Sequence, residues 1–215
     1  MYCIFHLPRT GSRYLHSLIN SSLILLDPRH HNTDLEPFNP SRNTVEQIEK
    51  KYNTFVNSTP KVTVKMVINH YPNIADKFIN NPDYTTIFIK PKHYRKRLLK
   101  ALVEKHCNTF SDGTDRKQIR ESLVGTLFFS DELVIERFNH YKIHMEYEQR
   151  CDHVFYDEDI FSNPNNIMTI LNLPIVSTKY KRVPPYYSDE QMLTNVEKFN
   201  EQYDSISIKL FGKVI

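Results

Sequence analysis

Glycine and cysteine are scarce in this chain: four and three among 215 residues. Few glycines mean that one placed in a turn stands out, because only glycine enters the left-handed region without cost. Cys3, Cys107 and Cys151 are odd in number, far apart and without C-x-x-C spacing. That excludes a disulfide framework or a cysteine zinc site and fits a reducing compartment. The apolar start is only a few residues long and breaks at Pro8, so it does not read as a secretory signal. No apolar run approaches a membrane span. The net charge is +3 and the isoelectric point about 8.6, too mild to imply a nucleic-acid partner. There is no G-x-x-x-x-G-K-[ST] loop, no internal repeat and no low-complexity tract. None of the ten histidines forms a metal-ligand set with cysteines or carboxylates. The expectation is a soluble cytoplasmic protein that binds neither nucleic acid nor membrane.

Against those absences stands a regular alternation of apolar runs. Residues 1–7 read as a short buried strand and 12–21 as a helix with Tyr14, Leu15, Leu18 and Ile19 on one stripe. The run SLILLDP (22–28) predicts a second buried strand, and 29–45 a long proline-punctuated loop. A polar helix follows over 45–53, a strand over 61–72, a helix over 74–80 and a strand over 84–91. A basic helix (93–106), a polar loop (108–117) and an amphipathic helix over 131–150 come next. Val134, Phe138, Tyr141 and Met145 lie on one side of that helix. A strand over 152–159, a helix opening at Pro164 and a last helix over 189–203 complete the pattern. Alternating strands and helices predict one α/β domain spanning 1–215, with a central, mostly parallel sheet flanked by helices. Such sheets carry ligands at the carboxyl ends of their strands.

The first strand runs into Pro8-Arg9-Thr10-Gly11-Ser12-Arg13-Tyr14-Leu15. A strand, a short turn and a helix make an anion site, because the first helical N–H groups lack intrahelical acceptors and the helix dipole favours negative charge. Gly11 permits close approach, Thr10 and Ser12 offer hydroxyls, and Arg9 and Arg13 bring charge. The alternative is a tight turn with an ordinary helix cap.

PRTGSRYL resembles the phosphosulfate-binding loop of the sulfotransferases that use 3′-phosphoadenosine 5′-phosphosulfate. That loop typically reads Pro-Lys/Arg-Ser/Thr-Gly-Ser/Thr-Thr-Trp/Tyr-Leu after the first strand. Arg13 departs from it, standing where a hydroxyl residue is usual. VKMVINHYP is similar to the family's strand ending in Thr-His-x-Pro, which points to His70 as the catalytic histidine. YTTIFIKPKHYRKRLL sits where the family has a strand, an Arg, a proline turn and a helix bearing a Ser, which together bind the donor's 3′-phosphate. Lys90 stands at the Arg, and Arg97 falls near the Ser when one gap is allowed. VFYDEDIFSNPNNIMTILNLP resembles the later strand–turn–Asn-Pro–helix block, with one extra residue between Tyr156 and Glu158. The four landmarks occur in the family's order over residues 1–175.

The resemblance implies sulfuryl transfer from 3′-phosphoadenosine 5′-phosphosulfate, with 3′-phosphoadenosine 5′-phosphate as product. Arg9, Thr10, Gly11, Ser12, Arg13 and Tyr14 would hold the phosphosulfate, and Lys90 and Arg97 the 3′-phosphate. Arg9 and the loop N–H groups would stabilise charge on the leaving phosphate, and His70 would take the acceptor's proton. An ordinary histidine pKa of about 6.5 suits that task. The acceptor is a hydroxyl or amine of a small molecule, glycan or peptide, in a pocket bordered by loops 29–45, 108–117 and 176–188. Tyr186 and Tyr187 are candidates for its rim, and Tyr156 for a place against the adenine. Asp157, Glu158 and Asp159 read as architectural, and His30, His31, His140 and His144 as surface residues. Two other readings share the element order. One is a nucleotide or small-molecule kinase with an atypical phosphate loop. The other is a sulfotransferase-like binding protein without turnover. Sequence leaves the oligomeric state unread.

Overall fold

A computed structural model describes residues 1–7, 10–30, 37–38, 43–108, 116–177 and 188–215. The chain divides into two compact units, Met1–Lys92 with Ile143–Lys181 and His93–Lys142 with Arg182–Ile215. The first holds a parallel sheet of β1 (Tyr2–Phe5), β2 (Val64–Met66), β3 (Thr85–Lys90) and β4 (His153–Tyr156), in the order β2-β1-β3-β4. β1 pairs Cys3 with Val64 on one side and with Thr86 on the other. β3 in turn pairs Phe88 with Val154 and Ile89 with Phe155. The expected parallel α/β sheet is therefore present.

Alternation along the strands sends side chains into two cores, one on each face. Cys3, Phe5, Val64, Met66 and Phe88 face helices α2 (Val45–Val56) and α3 (Pro72–Ile79), which contribute Ile48, Ile74, Ala75 and Phe78. Ile4, Ile87, Ile89 and Phe155 face α1 (Ser12–Leu26) and two helices after β4, α7 (Asp159–Ser162) and α8 (Pro164–Ile170). Local signals start the helices. Thr44 and Gln47 form a reciprocal capping box on α2, while Pro72 and Pro164 occupy the first turns of α3 and α8. At the amino edge of the sheet, Asp152 Oδ2 accepts from the Thr86 N–H (2.7 Å) and hydroxyl (2.8 Å), which fixes β4 beside β3.

The second unit is helical: α4 (Tyr94–Asn108), α5 (Arg116–Ser122), most of α6 (Asp131–Met145) and α9 (Val196–Phe211). Its buried residues include Leu98, Leu102, Val134, Phe138, Phe199 and Tyr203. Gly212 ends α9 in the left-handed conformation, φ 71°. Among the described residues no helix is long and apolar enough to cross a membrane.

Several elements differ from expectation. Residues 22–26 continue α1 instead of forming a strand, because a short apolar run does not distinguish strand from helix. Ser22 donates to Leu18 O (3.0 Å) within α1 and to Pro174 O (2.7 Å), while Leu25 and Leu26 stay exposed. The strand expected over 61–72 is three residues long and passes into a 3₁₀ turn at Ile68–His70. α5 and α7 were not signalled, α6 stops at Met145, and α9 begins at Val196, seven residues later than expected.

The surface placement of His144 is also corrected. It is 1% exposed, stacks on Phe88 at 4.1 Å and donates Nε2–H to Ile89 O at 3.1 Å. Its spacing reads as one face of a helix, but that face meets the sheet. Burial lowers both His144 and His16 to a pKa of about 4. The unfolded chain binds these protons below about 6.5, whereas the folded chain binds them only near 4. Stability is therefore fully present above pH 6.5 and falls as the pH drops from 6.5 toward 4, by about 1.4 kcal/mol per pH unit for each histidine. Denaturant unfolding at stepped pH values should show this slope, and His144→Gln should reduce it. A second measurement concerns Phe78, whose ring meets Phe38, Tyr52 and Tyr84 at centroid distances of 5.8, 5.0 and 4.9 Å. Phe78→Ala should cost about 3–5 kcal/mol in the same assay.

Candidate functional site

All four strands point the same way, so the residues that follow them gather along one edge of the sheet. β1 lies between β2 and β3. The turn after β1 is therefore flanked by Ile68–His70 on one side and by Lys90 on the other. Three of the sequence landmarks, far apart in the chain, meet there as neighbours. Pro8 and Arg9 lie outside the described residues, and the site is built from what surrounds them.

The turn resumes at Thr10, which is fully buried and donates its hydroxyl to Leu7 O at 2.8 Å. Its proton is thus committed to the turn, and Ser12, 6% exposed, is the other hydroxyl of the motif. Gly11 is in the left-handed region at φ 78°, immediately before α1. Its carbonyl accepts from Tyr14 N (2.9 Å) and Leu15 N (3.2 Å), which starts the helix. No side chain among the described residues caps that end, and its first turn carries no acidic residue. The positive end of the α1 dipole is the kind of helix end that favours an anion. Arg13 is exposed on this first turn, and Tyr14 is half-buried behind it.

Glycine is required at position 11 for two reasons. The positive φ strains any other residue, and an added Cβ would lie 2.6 Å from Phe161 Cε2 and 2.8 Å from its Cζ. Phe161, on α7, stacks against Tyr14 at 5.4 Å with the rings 4° from parallel. The segment after β4 thus closes over the segment after β1. Phe161 lies within the 154–174 stretch, and its contact with Gly11 and Tyr14 is not recorded in the local pattern. Its signal was an aromatic next to an Asn-Pro helix start.

His70 ends the 3₁₀ turn after β2 and is exposed. His6, which the sequence reading passed over, lies one residue past β1 and is 4% exposed. Its Nδ1–H donates to Leu7 O at 2.9 Å, while Nε2 is buried with no partner among the described residues. Burial pushes its pKa well below the histidine range, and the charges of Lys65, His144 and His70 push it further in the same direction. His6 is therefore held neutral, near His70. A histidine inside an otherwise apolar strand was the available signal.

Lys90 is the last residue of β3. Its Nζ lies 2.8 Å from Glu148 Oε1 and 6.0 Å from the centre of the Tyr156 ring. Asp157, 1% exposed, accepts from Lys92 N at 3.1 Å, and its own N–H donates to Lys90 O at 3.0 Å. The carboxylate braces the turn after β3, in keeping with an architectural role. Glu158 pairs with Lys92 at 3.5 Å. Arg97 belongs to the second unit, on α4, where its charge acts on the buried Tyr141. Most of the three loops expected to border an acceptor, with Tyr186 and Tyr187, lie outside the described residues.

Gly11→Ala should destabilise the protein by about 1–3 kcal/mol, from the strained conformation and the clash with Phe161. Phe161→Ala combined with Gly11→Ala should recover part of the loss, as measured by denaturant unfolding. No family model matches this chain and no curated protein is significantly similar to it, so the functional reading rests on these residues.

Proposed function

We propose that the protein transfers a sulfuryl group from 3′-phosphoadenosine 5′-phosphosulfate to a hydroxyl or amine acceptor. The observation that carries this reading is the glycine-opened start of α1, without a side-chain cap among the described residues and set in the sheet order between His70 and Lys90. An anion bound by that helix end would have a basic imidazole on one side and an ammonium on the other.

The chemistry is an in-line displacement at sulfur. The acceptor oxygen or nitrogen forms the new bond to sulfur, and the bond from sulfur to the phosphate oxygen breaks. Negative charge then builds on the departing 3′-phosphoadenosine 5′-phosphate. The α1 N–H groups and the guanidinium of Arg9 would stabilise that charge, each good donor contributing about 3 kcal/mol. In this reading the acceptor's proton passes to His70, which is exposed at the sheet edge. Tyr156, 43% exposed beside Lys90, offers a ring face for the adenine. The kinase reading is weaker, because the best-placed carboxylate, Asp157, already accepts from a backbone N–H and is buried.

Calorimetric titration with 3′-phosphoadenosine 5′-phosphate, 5′-AMP and ATP tests the proposal. The expected result is micromolar binding with preference for the 3′-phosphorylated nucleotide, weakened by Arg9→Ala and by Lys90→Ala. Preference for ATP with magnesium, or no nucleotide binding, would overturn it. His70→Ala should leave that affinity within about twofold while lowering turnover, read as slow transfer to water, by about 10²- to 10⁴-fold.

A further inference from the structure

Lys90 and Lys92 stand at the corner of the sheet edge assigned to the donor's 3′-phosphate. Both lysines there are matched with carboxylates: Lys90 with Glu148 at 2.8 Å and Lys92 with Glu158 at 3.5 Å. The first pair is the closer and the less exposed, at 24% and 26% of the side-chain surfaces against 53% and 46%. Tyr156 lies along Lys90 and helps hold the ammonium at this corner. Glu148 comes from the 3₁₀ turn Glu148–Arg150, just before β4, so the pair joins that turn to the end of β3. The first turn of α1, by contrast, carries no acidic residue. The two ends of the site thus differ in electrostatics, one open to an anion and the other balanced.

We propose that Glu148 is a specificity-determining residue of the nucleotide site, setting how strongly the protein prefers a 3′-phosphate over a 3′-hydroxyl. The proposal rests on the reading of Lys90 as the residue that meets the 3′ position. A lysine ammonium is a compact charge with no fixed fork, so a carboxylate and a phosphate compete for the same atom. While Glu148 is within reach, its repulsion of a 3′-phosphate opposes and reduces the attraction from Lys90. Binding the phosphate requires the pair to open. A 3′-hydroxyl needs no such step, because it can donate to the carboxylate with the pair intact, as acidic residues do for ribose hydroxyls. A partly exposed ion pair adds little to folding stability. Glu148 can therefore be changed with the fold retained.

The test uses the full chain and two probes, 3′-phosphoadenosine 5′-phosphate and 5′-AMP, titrated into the native protein, Glu148→Gln, Lys90→Ala and the double variant. Glu148→Gln keeps the shape of the side chain and removes the charge, and unchanged thermal unfolding confirms that it folds. The expected result is that the preference for the 3′-phosphorylated probe over 5′-AMP rises about tenfold in Glu148→Gln, from tighter binding of the former and loss of the charged acceptor for the 3′-hydroxyl of the latter. The rise should be smaller when Lys90→Ala is also present. An unchanged preference in Glu148→Gln, with the native protein still binding the 3′-phosphorylated probe, overturns the role of Glu148 and leaves the proposed function standing. An equal rise on the Lys90→Ala background also overturns it, because Glu148 would then act without Lys90. Failure of native protein and Glu148→Gln alike to bind either probe overturns both.

Discussion

β1 is the element on which the first unit depends. It is only four residues long, yet it is hydrogen-bonded along both edges and covered on both faces. Cys3 and Phe5 enter one core and Ile4 the other, each essentially without exposure. A strand so confined has little freedom in register, because a slip of one residue would exchange its two faces. The chain that leaves it is delivered to one place, between the ends of β2 and β3. The turn at Gly11, the start of α1 and the stacking of Tyr14 on Phe161 all follow from that delivery.

The same confinement governs the polar groups around the strand end. His6, His16 and His144 are buried beside or beneath apolar layers, and removal from water holds each of them neutral. His144 hydrogen-bonds Ile89 O and His16 lies against Thr63 O, so they brace the sheet from either face. His70, by contrast, is exposed at the same edge. Histidines close in sequence pattern thus divide into structural and solvent-facing groups by depth alone. Charge divides in a similar way along the edge. The helix end after β1 lacks carboxylates in its first turn, while the lysines after β3 are matched by Glu148 and Glu158.

Much of the site was legible in the chain because its signals are local. A proline, a hydroxyl and a glycine between an apolar strand and a helical stripe indicate a strand over residues 1–7 and a helix over 12–21, and both elements are present, as Tyr2–Phe5 and Ser12–Leu26. The capping residues of α2, α3 and α8 also acted at short range. Errors arose where the pattern was short or long-range packing intervened. SLILL reads as a strand by its apolar run, but it continues α1, with Ser22 donating to Leu18 O and to Pro174 O. His144 sat at helical spacing with His140, but which helical face would meet Phe88 was decided by the sheet.

The sequence by itself determined the alternation of strands and helices, the parallel class of the sheet, and the glycine turn ahead of α1. These follow from periodicity, from proline and capping residues, and from the one conformation that glycine adopts more readily than other residues. Tertiary structure alone decided which strands are neighbours and therefore that His70 and Lys90 flank the turn, 20 residues apart in the chain but on opposite sides of β1. It also decided that Phe161 closes on Gly11, that His6 Nε2 is buried without a partner among the described residues, and that Glu148 holds Lys90. Each of those contacts joins residues distant in sequence or depends on burial, and no local pattern records either.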